Sequence, residues 1–285
     1  MKMTSKISKV KAIHNQLEVC SMMRSGHHAV LYWLFAQINH PIYFRNDVLC
    51  YRDERSLRDR GVVIGGKNIS SILKTYIYNV EDIPINNIKS IRKKYKSILE
   101  IVPPKKSRSL LIIRDPFNMF SSRYRLFLRI NKIREEEGER PLPDSRNTNG
   151  NSGVAWIDEG AVELWKMYAK EYLGHTNYLG DDLLKINYNK WFSNISYRKK
   201  ISQNMNLKFS DKNLNYVPAN GHGSSFDVRT MNGRAQKMDV MNRWQRFAEN
   251  DKFRKIFSDK ELIDLSSEIY PKMTKKVIKE MRLLC

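Results

Sequence analysis

Residues 19–35, VCSMMRSGHHAVLYWLF, open and close as apolar runs and carry Arg24-Ser25-Gly26-His27-His28 between them. Residues 17–23 (LEVCSMM) read as a buried strand and 29–38 as the helix packed on it. A strand that feeds a helix through a small-residue turn aims several backbone N–H groups at one point. The positive end of the helix dipole lies there too, so such a turn holds a phosphate-like oxyanion. Gly26 permits close backbone approach, Ser25 adds a hydroxyl donor, and Arg24 offers a planar fork for bidentate contact. A nucleoside triphosphatase loop needs a second Gly and a Lys, and both are missing here. Two histidines stand where hydroxyls are expected.

Further short apolar runs follow at 42–44 (IYF), 61–66 (GVVIGG), 76–80 (YIYNV) and 109–115 (SLLIIRD). Helical spacing separates several of them: Ile85, Ile88, Ile91, Tyr95 and Ile98 share one face of 85–100. Strands alternating with helices predict an α/β domain with a mostly parallel central sheet flanked by helices. It covers 17–285, after a basic N-terminal arm at 1–16. Residues 131–153 are charged, then rich in Pro, Asn, Ser and Gly, and read as a long loop or lid. Residues 154–173 follow as an amphipathic helix carrying Trp156, Val162, Trp165, Tyr168, Ala169 and Tyr172, and 182–192 as another strand. The remainder reads as helical apart from a turn at 218–227.

The 285 residues carry 51 Lys and Arg against 30 Asp and Glu, a net charge of +21 that favours anionic partners. Cys20, Cys50 and Cys285 show neither metal spacing nor a disulfide pattern, which points to a reducing, cytoplasmic setting. The first residues lack a secretory apolar core, and no apolar run reaches the roughly 20 residues that span a bilayer. His14, His40, His175 and His222 lack ligand spacing, so no metal is expected.

In LLIIRDPFNMFSSRYR (110–125), Arg114 sits at the carboxyl end of an apolar strand, where open parallel sheets place ligand contacts. Asp115-Pro116 starts the next helix as cap and first-turn Pro. Ser122, eight residues after Arg114, can face back toward the strand end.

Together the two stretches resemble the sulfotransferase family, whose members use 3′-phosphoadenosine 5′-phosphosulfate (PAPS) and have a P-loop NTPase-like fold. The family's first loop, (K/R)-S-G-(T/S)-(T/S), is similar to 24–28 and implies that Arg24, Ser25, Gly26, His27, His28 and Ala29 grip the phosphosulfate. Its strand-end Arg with a Ser eight residues on matches Arg114 and Ser122, implying a 3′-phosphate site. Tyr188 in INYNKWF matches a family Tyr near the adenine, although Asn189 and Lys190 replace two acids. Ser224 and Phe226 in SSFDV resemble an adenine-side T-S-F element, and Trp244 matches a C-terminal Trp. Arg229, Arg234 and Lys237 all stand as candidates for the basic group that completes the 3′-phosphate site.

The resemblance implies sulfonyl transfer from PAPS to a hydroxyl or amine, releasing adenosine 3′,5′-bisphosphate without a metal. The acceptor is a small molecule or carbohydrate, an anionic one being compatible with the basic surface; no nucleic acid is expected as a partner. A basic nucleic-acid- or polyanion-binding protein, or a P-loop kinase-like phosphotransferase, is the alternative. The catalytic base is open. The strand-end His of many members is absent, leaving Glu81, at the end of TYIYNVEDIP, in competition with His27 and His28.

Overall fold

The computed structural model describes residues 15–48, 62–65, 74–94, 104–141, 157–219 and 223–283. Six strands form one sheet: β1 (Asn15–Ser21), β2 (Ile42–Arg45), β3 (Val62–Ile64), β4 (Thr75–Glu81), β5 (Lys106–Ile113) and β6 (Leu183–Asn187), in the order β3-β2-β4-β1-β5-β6. Only the edge strand β3 runs antiparallel to its neighbour among these pairings.

The strands lack polar alternation because both faces of the sheet are covered. Leu17, Val19, Leu110 and Ile112 pack against α1 (His27–Phe35) and the helices after β6, α5 (Tyr188–Ser193) and α6 (Ile195–Asn204). Cys20, Leu111 and Ile113 point the other way, into a second core. That core holds residues of α3 (Pro116–Glu136), α4 (Glu159–Leu173), α8 (Lys260–Ile269) and α9 (Pro271–Met281), with α2 (Ile88–Lys94) and α7 (Asp251–Lys255) completing the α-helices among the described residues. The mostly parallel α/β architecture expected from the sequence is therefore present. No described helix is long and apolar enough to cross a membrane.

Several boundaries differ from expectation, each for a local reason. β1 ends at Ser21, because Met22–Ser25 close a turn through a Ser25 N–H to Met22 C=O bond of 3.1 Å, and α1 starts at His27. The strand expected over 182–192 stops at Asn187, whose side chain caps the Lys190 N–H at 3.1 Å and starts a helix at Tyr188. Asp158 caps Ala161 at 3.0 Å, so that helix begins at Glu159; Trp156 lies outside the described residues. The first part of the expected lid, 131–136, continues α3; the section from 142 to 153 lies outside the described residues. So do 1–14 of the arm, His14, Cys50, Tyr95, Ile98, His222 and Cys285. The span between Met205 and Asn250, expected as mostly helix, holds turns and short 3₁₀ segments. Its backbone folds on itself, as where Asn215 C=O accepts from Gly233 N–H at 2.9 Å.

Candidate active site

Strand register brings four sequence regions to one edge. Ser21 pairs with Glu81 on β4 and with Ile112 on β5, and Ile113 pairs with Asn187 on β6. The Arg24 loop, Glu81, Arg114 and Tyr188 thus all emerge at the carboxyl end of the parallel sheet. They line a cavity of about 460 Å³.

The loop is held by its backbone. Arg24 and Gly26 both adopt left-handed conformations (φ 69° and 85°), which turn successive N–H groups toward one concave side. Gly26 caps α1 with no side-chain hydrogen bond, so no side chain competes with an anion for the first-turn N–H groups. A Cβ at Gly26 would also overlap the Tyr188 ring. Beneath the loop, Asp82 accepts from Met23 N–H at 3.0 Å and pairs with Arg123 at 2.9 Å. Asp82 is therefore a loop anchor.

At this end of the cavity His27 Nε2 lies 3.1 Å from Glu81 Oε1 and 3.3 Å from His28 Nε2. Asn79 Nδ2 donates to the same Glu81 oxygen at 2.9 Å, and Asn46 Oδ1 is 2.5 Å from His28 Nε2. Burial works to raise the Glu81 carboxyl, but the charge and hydrogen bond of His27 outweigh it and hold Glu81 below the usual carboxylate range. Burial, then His27, pushes His28 down to about 4, so its imidazole is neutral at physiological pH. Ser25 is buried behind the loop, its hydroxyl 3.4 Å from His27 Nδ1, and does not line the cavity. Ala29 does line it, and Arg24 reaches across to the Gly223 carbonyl at 2.9 Å.

At the other end two guanidinium groups meet on one hydroxyl. Ser122 Oγ is 3.4 Å from Arg114 Nη1 and 3.2 Å from Arg243 Nη1. All three side chains are buried, at 1%, 2% and 8% exposure for Ser122, Arg114 and Arg243. Arg243 also donates to Ser224 Oγ at 2.8 Å, pairs with Asp227 at 3.1 Å and lies over the Phe226 ring at 5.0 Å. Arg114 lies over the Tyr188 ring at 5.0 Å and donates to the Val240 carbonyl at 2.6 Å, while its buried Nε has no hydrogen-bond partner. Asp115 caps Asn118 at 2.8 Å and accepts from Asn189 at 2.8 Å. Burial, then the Arg114 charge, pushes Arg243 down to about 10.

The structure thus gathers Arg24, Gly26, His27, His28, Ala29, Glu81, Arg114, Ser122, Tyr188 and Ser224 on one cavity. Phe226 stands behind Arg243 rather than on the wall. Arg234 and Lys237 are exposed and outside the cavity, as is Arg229; Arg243 is the arginine of this segment that lines it, beside Ser122. Sequence reasoning passed over Arg243 although it adjoins Trp244 in the segment singled out.

No family model matches the chain, and no curated protein is similar to it. Among solved structures, the chain is similar to the sulfotransferase domain of the Synechococcus PCC 7002 olefin synthase (TM-score 0.48, 10% identity, covering 90% of this chain and 95% of that one). It is also similar to mouse sulfotransferase SULT7A1 complexed with PAP (TM-score 0.47, 12% identity, 96% and 92%). A third is the sulfotransferase domain from the curacin biosynthetic pathway (TM-score 0.39, 12% identity, 96% and 99%).

Proposed function

We propose that the chain is a sulfotransferase that takes PAPS as donor and transfers its sulfonyl group to a hydroxyl or amine of a small-molecule or carbohydrate acceptor. The observation that carries this reading is the pair of buried guanidinium groups meeting on Ser122. Two like charges out of water are costly unless an anion joins them. Asp227 answers only Arg243, and the orphaned Nε of Arg114 leaves donor capacity for a phosphate. A second anion site, the loop and the N-terminus of α1, opens onto the same cavity. A nucleotide with phosphates at both its 3′ and 5′ positions fits such a pair, whereas a nucleoside triphosphate carries its charge in one run.

On this reading Arg114, Ser122 and Arg243 hold the 3′-phosphate, and Arg24 with the loop amides holds the phosphosulfate. Tyr188, against Gly26 and Arg114, borders the nucleoside. The acceptor oxygen or nitrogen attacks sulfur as the bond from sulfur to the bridging phosphate oxygen breaks, releasing adenosine 3′,5′-bisphosphate. The acceptor's proton passes to the His27–Glu81 pair, whose Nε2 and Oε1 lie 3.1 Å apart. The neutral His28 and Arg24 stabilise charge on the leaving phosphate. Thermal stabilisation by adenosine 3′,5′-bisphosphate, exceeding that by ADP, tests the reading; equal or absent stabilisation at millimolar concentration refutes it.

A further inference from the structure

A run of polar contacts at the ends of β1 and β4 has a second capacity. Glu81 Oε1, His27 Nε2, His28 Nε2 and Asn46 Oδ1 follow one another at 3.1, 3.3 and 2.5 Å contacts. A neutral imidazole brings at most one proton to its Nε2. If His27 Nε2 donates to Glu81 and His28 Nε2 to Asn46, the two N–H groups stand against each other across 3.3 Å. A cation among these atoms uses every lone pair at once.

We propose that His27 Nε2, His28 Nε2 and a Glu81 carboxylate oxygen form a binding site for a divalent transition-metal ion of the zinc type. Zinc–nitrogen bonds of about 2.0–2.1 Å in a tetrahedral array put neighbouring ligand atoms about 3.3 Å apart. The 3.1 and 3.3 Å separations match two edges of such a tetrahedron, and all three donor atoms lie within 4.8 Å of one another. Two of the three ligands are themselves oriented, as metal ligands require: Ser25 Oγ faces His27 Nδ1 at 3.4 Å and Asn79 Nδ2 donates to Glu81 at 2.9 Å. All three residues line the cavity, so the remaining coordination position opens to it, as in sites that act on a ligand rather than closed structural sites. Two imidazoles with one carboxylate suit zinc, cobalt or nickel, whereas magnesium and calcium prefer all-oxygen sets. The site does not depend on the transfer reading: a bound ion occupies His27 Nε2 and Glu81, the pair to which that reading gives the acceptor's proton. His27 and His28 are adjacent at the start of α1 and Glu81 comes from the end of β4, so no His-x₃-His spacing announces it.

The test uses the whole chain without nucleotide. Zinc is expected to bind at one equivalent, and cobalt in its place to give visible ligand-field absorption that excess zinc abolishes. Glu81→Gln and His28→Ala are each expected to weaken zinc binding at least about tenfold. His175→Ala, at a half-exposed histidine away from the cavity, leaves it unchanged. Melting curves without metal establish that each variant is folded. A wild-type chain that takes up no zinc and gives no cobalt bands overturns the proposal. So does equal zinc affinity in wild type, Glu81→Gln and His28→Ala. Binding of the bisphosphate by wild type is read separately, so the two readings fail independently.

Discussion

Replacing Arg243 by Met should change ligand-free stability little while sharply weakening the bisphosphate, and the contrast is the point. Breaking a buried ion pair by removing one partner ordinarily costs about 3–5 kcal/mol. Arg243, however, sits beside a second buried guanidinium, and burial followed by the Arg114 charge lowers it from its ordinary value to about 10. At about 1.4 kcal/mol per pH unit, that is a penalty of about 3 kcal/mol on the charged form in the empty site. Met removes the penalty and keeps the aliphatic volume, at the loss of the contacts to Ser122, Ser224 and Asp227. The two nearly offset, so the ligand-free melting temperature should move by no more than about 2–4 °C, roughly 1 kcal/mol for a chain of this size. Charged hydrogen bonds to a phosphate contribute about 1.5–3 kcal/mol, so affinity for adenosine 3′,5′-bisphosphate should fall about 10- to 150-fold. Isothermal titration with the bisphosphate and with adenosine 5′-monophosphate reads this directly. Only the bisphosphate should lose affinity. An equal loss for both nucleotides places Arg243 elsewhere, and a destabilisation above 3 kcal/mol without ligand refutes the charge argument.

Glu81→Gln should lower turnover by about 10²-fold or more while bisphosphate affinity stays within about threefold, because the carboxylate handles a proton and not the phosphate; steady-state rates with titration separate the two. Gly26→Ala forces a left-handed alanine, costing about 1–2 kcal/mol before its Cβ meets Tyr188, so both melting temperature and bisphosphate binding should drop; an unchanged melting curve would falsify the loop geometry. A pH prediction concerns Lys166, which bridges α4 to the start of α8 through Asp259 at 2.9 Å and Glu261 at 3.1 Å. Burial works to raise Asp259, but the Leu262 N–H and then Lys166 outweigh it, while Lys170 and then Lys166 lower Glu261. Depressed carboxylates stabilise the fold above their unfolded values, about 3.9–4.3, and lose that contribution as pH falls through the folded values. The melting-temperature difference between wild type and Lys166→Met should therefore be flat from about pH 5 to 8 and shrink below about pH 4; a difference that grows on acidification refutes it.

What could be read from the sequence was whatever is local in the chain. The Arg24 loop lies between its own strand and helix, and Arg114 and Ser122 are joined by about two helical turns, so spacing alone put each pair on one side. The partnership of His27 with Glu81 is of another kind. It depends on β4 lying beside β1 with Ser21 opposite Glu81, and nothing local in either strand names its neighbour. The 3′ end was harder still. Between Met205 and Asn250 the chain has no sustained period from which to infer direction. The 3₁₀ turn at Ala235–Lys237 points small Ala235 inward and leaves Arg234 and Lys237 in solvent. Arg243, at the start of another such turn, is the one carried into the cavity.

On the proposed reading, that arrangement makes Arg114 more than a phosphate ligand. Its Nη1 donates to the Arg24 carbonyl at 3.2 Å and lies 3.4 Å from Ser122 Oγ, while Nη2 donates to the Val240 carbonyl at 2.6 Å. Its own carbonyl accepts from Trp165 Nε1 at 3.0 Å. One guanidinium thus spans the loop at one end of the cavity and the turn carrying Arg243 at the other, and the α4 tryptophan fixes its backbone. A phosphate at Ser122 would draw on the same donors that brace Arg24. On the proposed reading, an anion at Ser122 therefore couples to the backbone of the Arg24 loop through Arg114, without any moving domain.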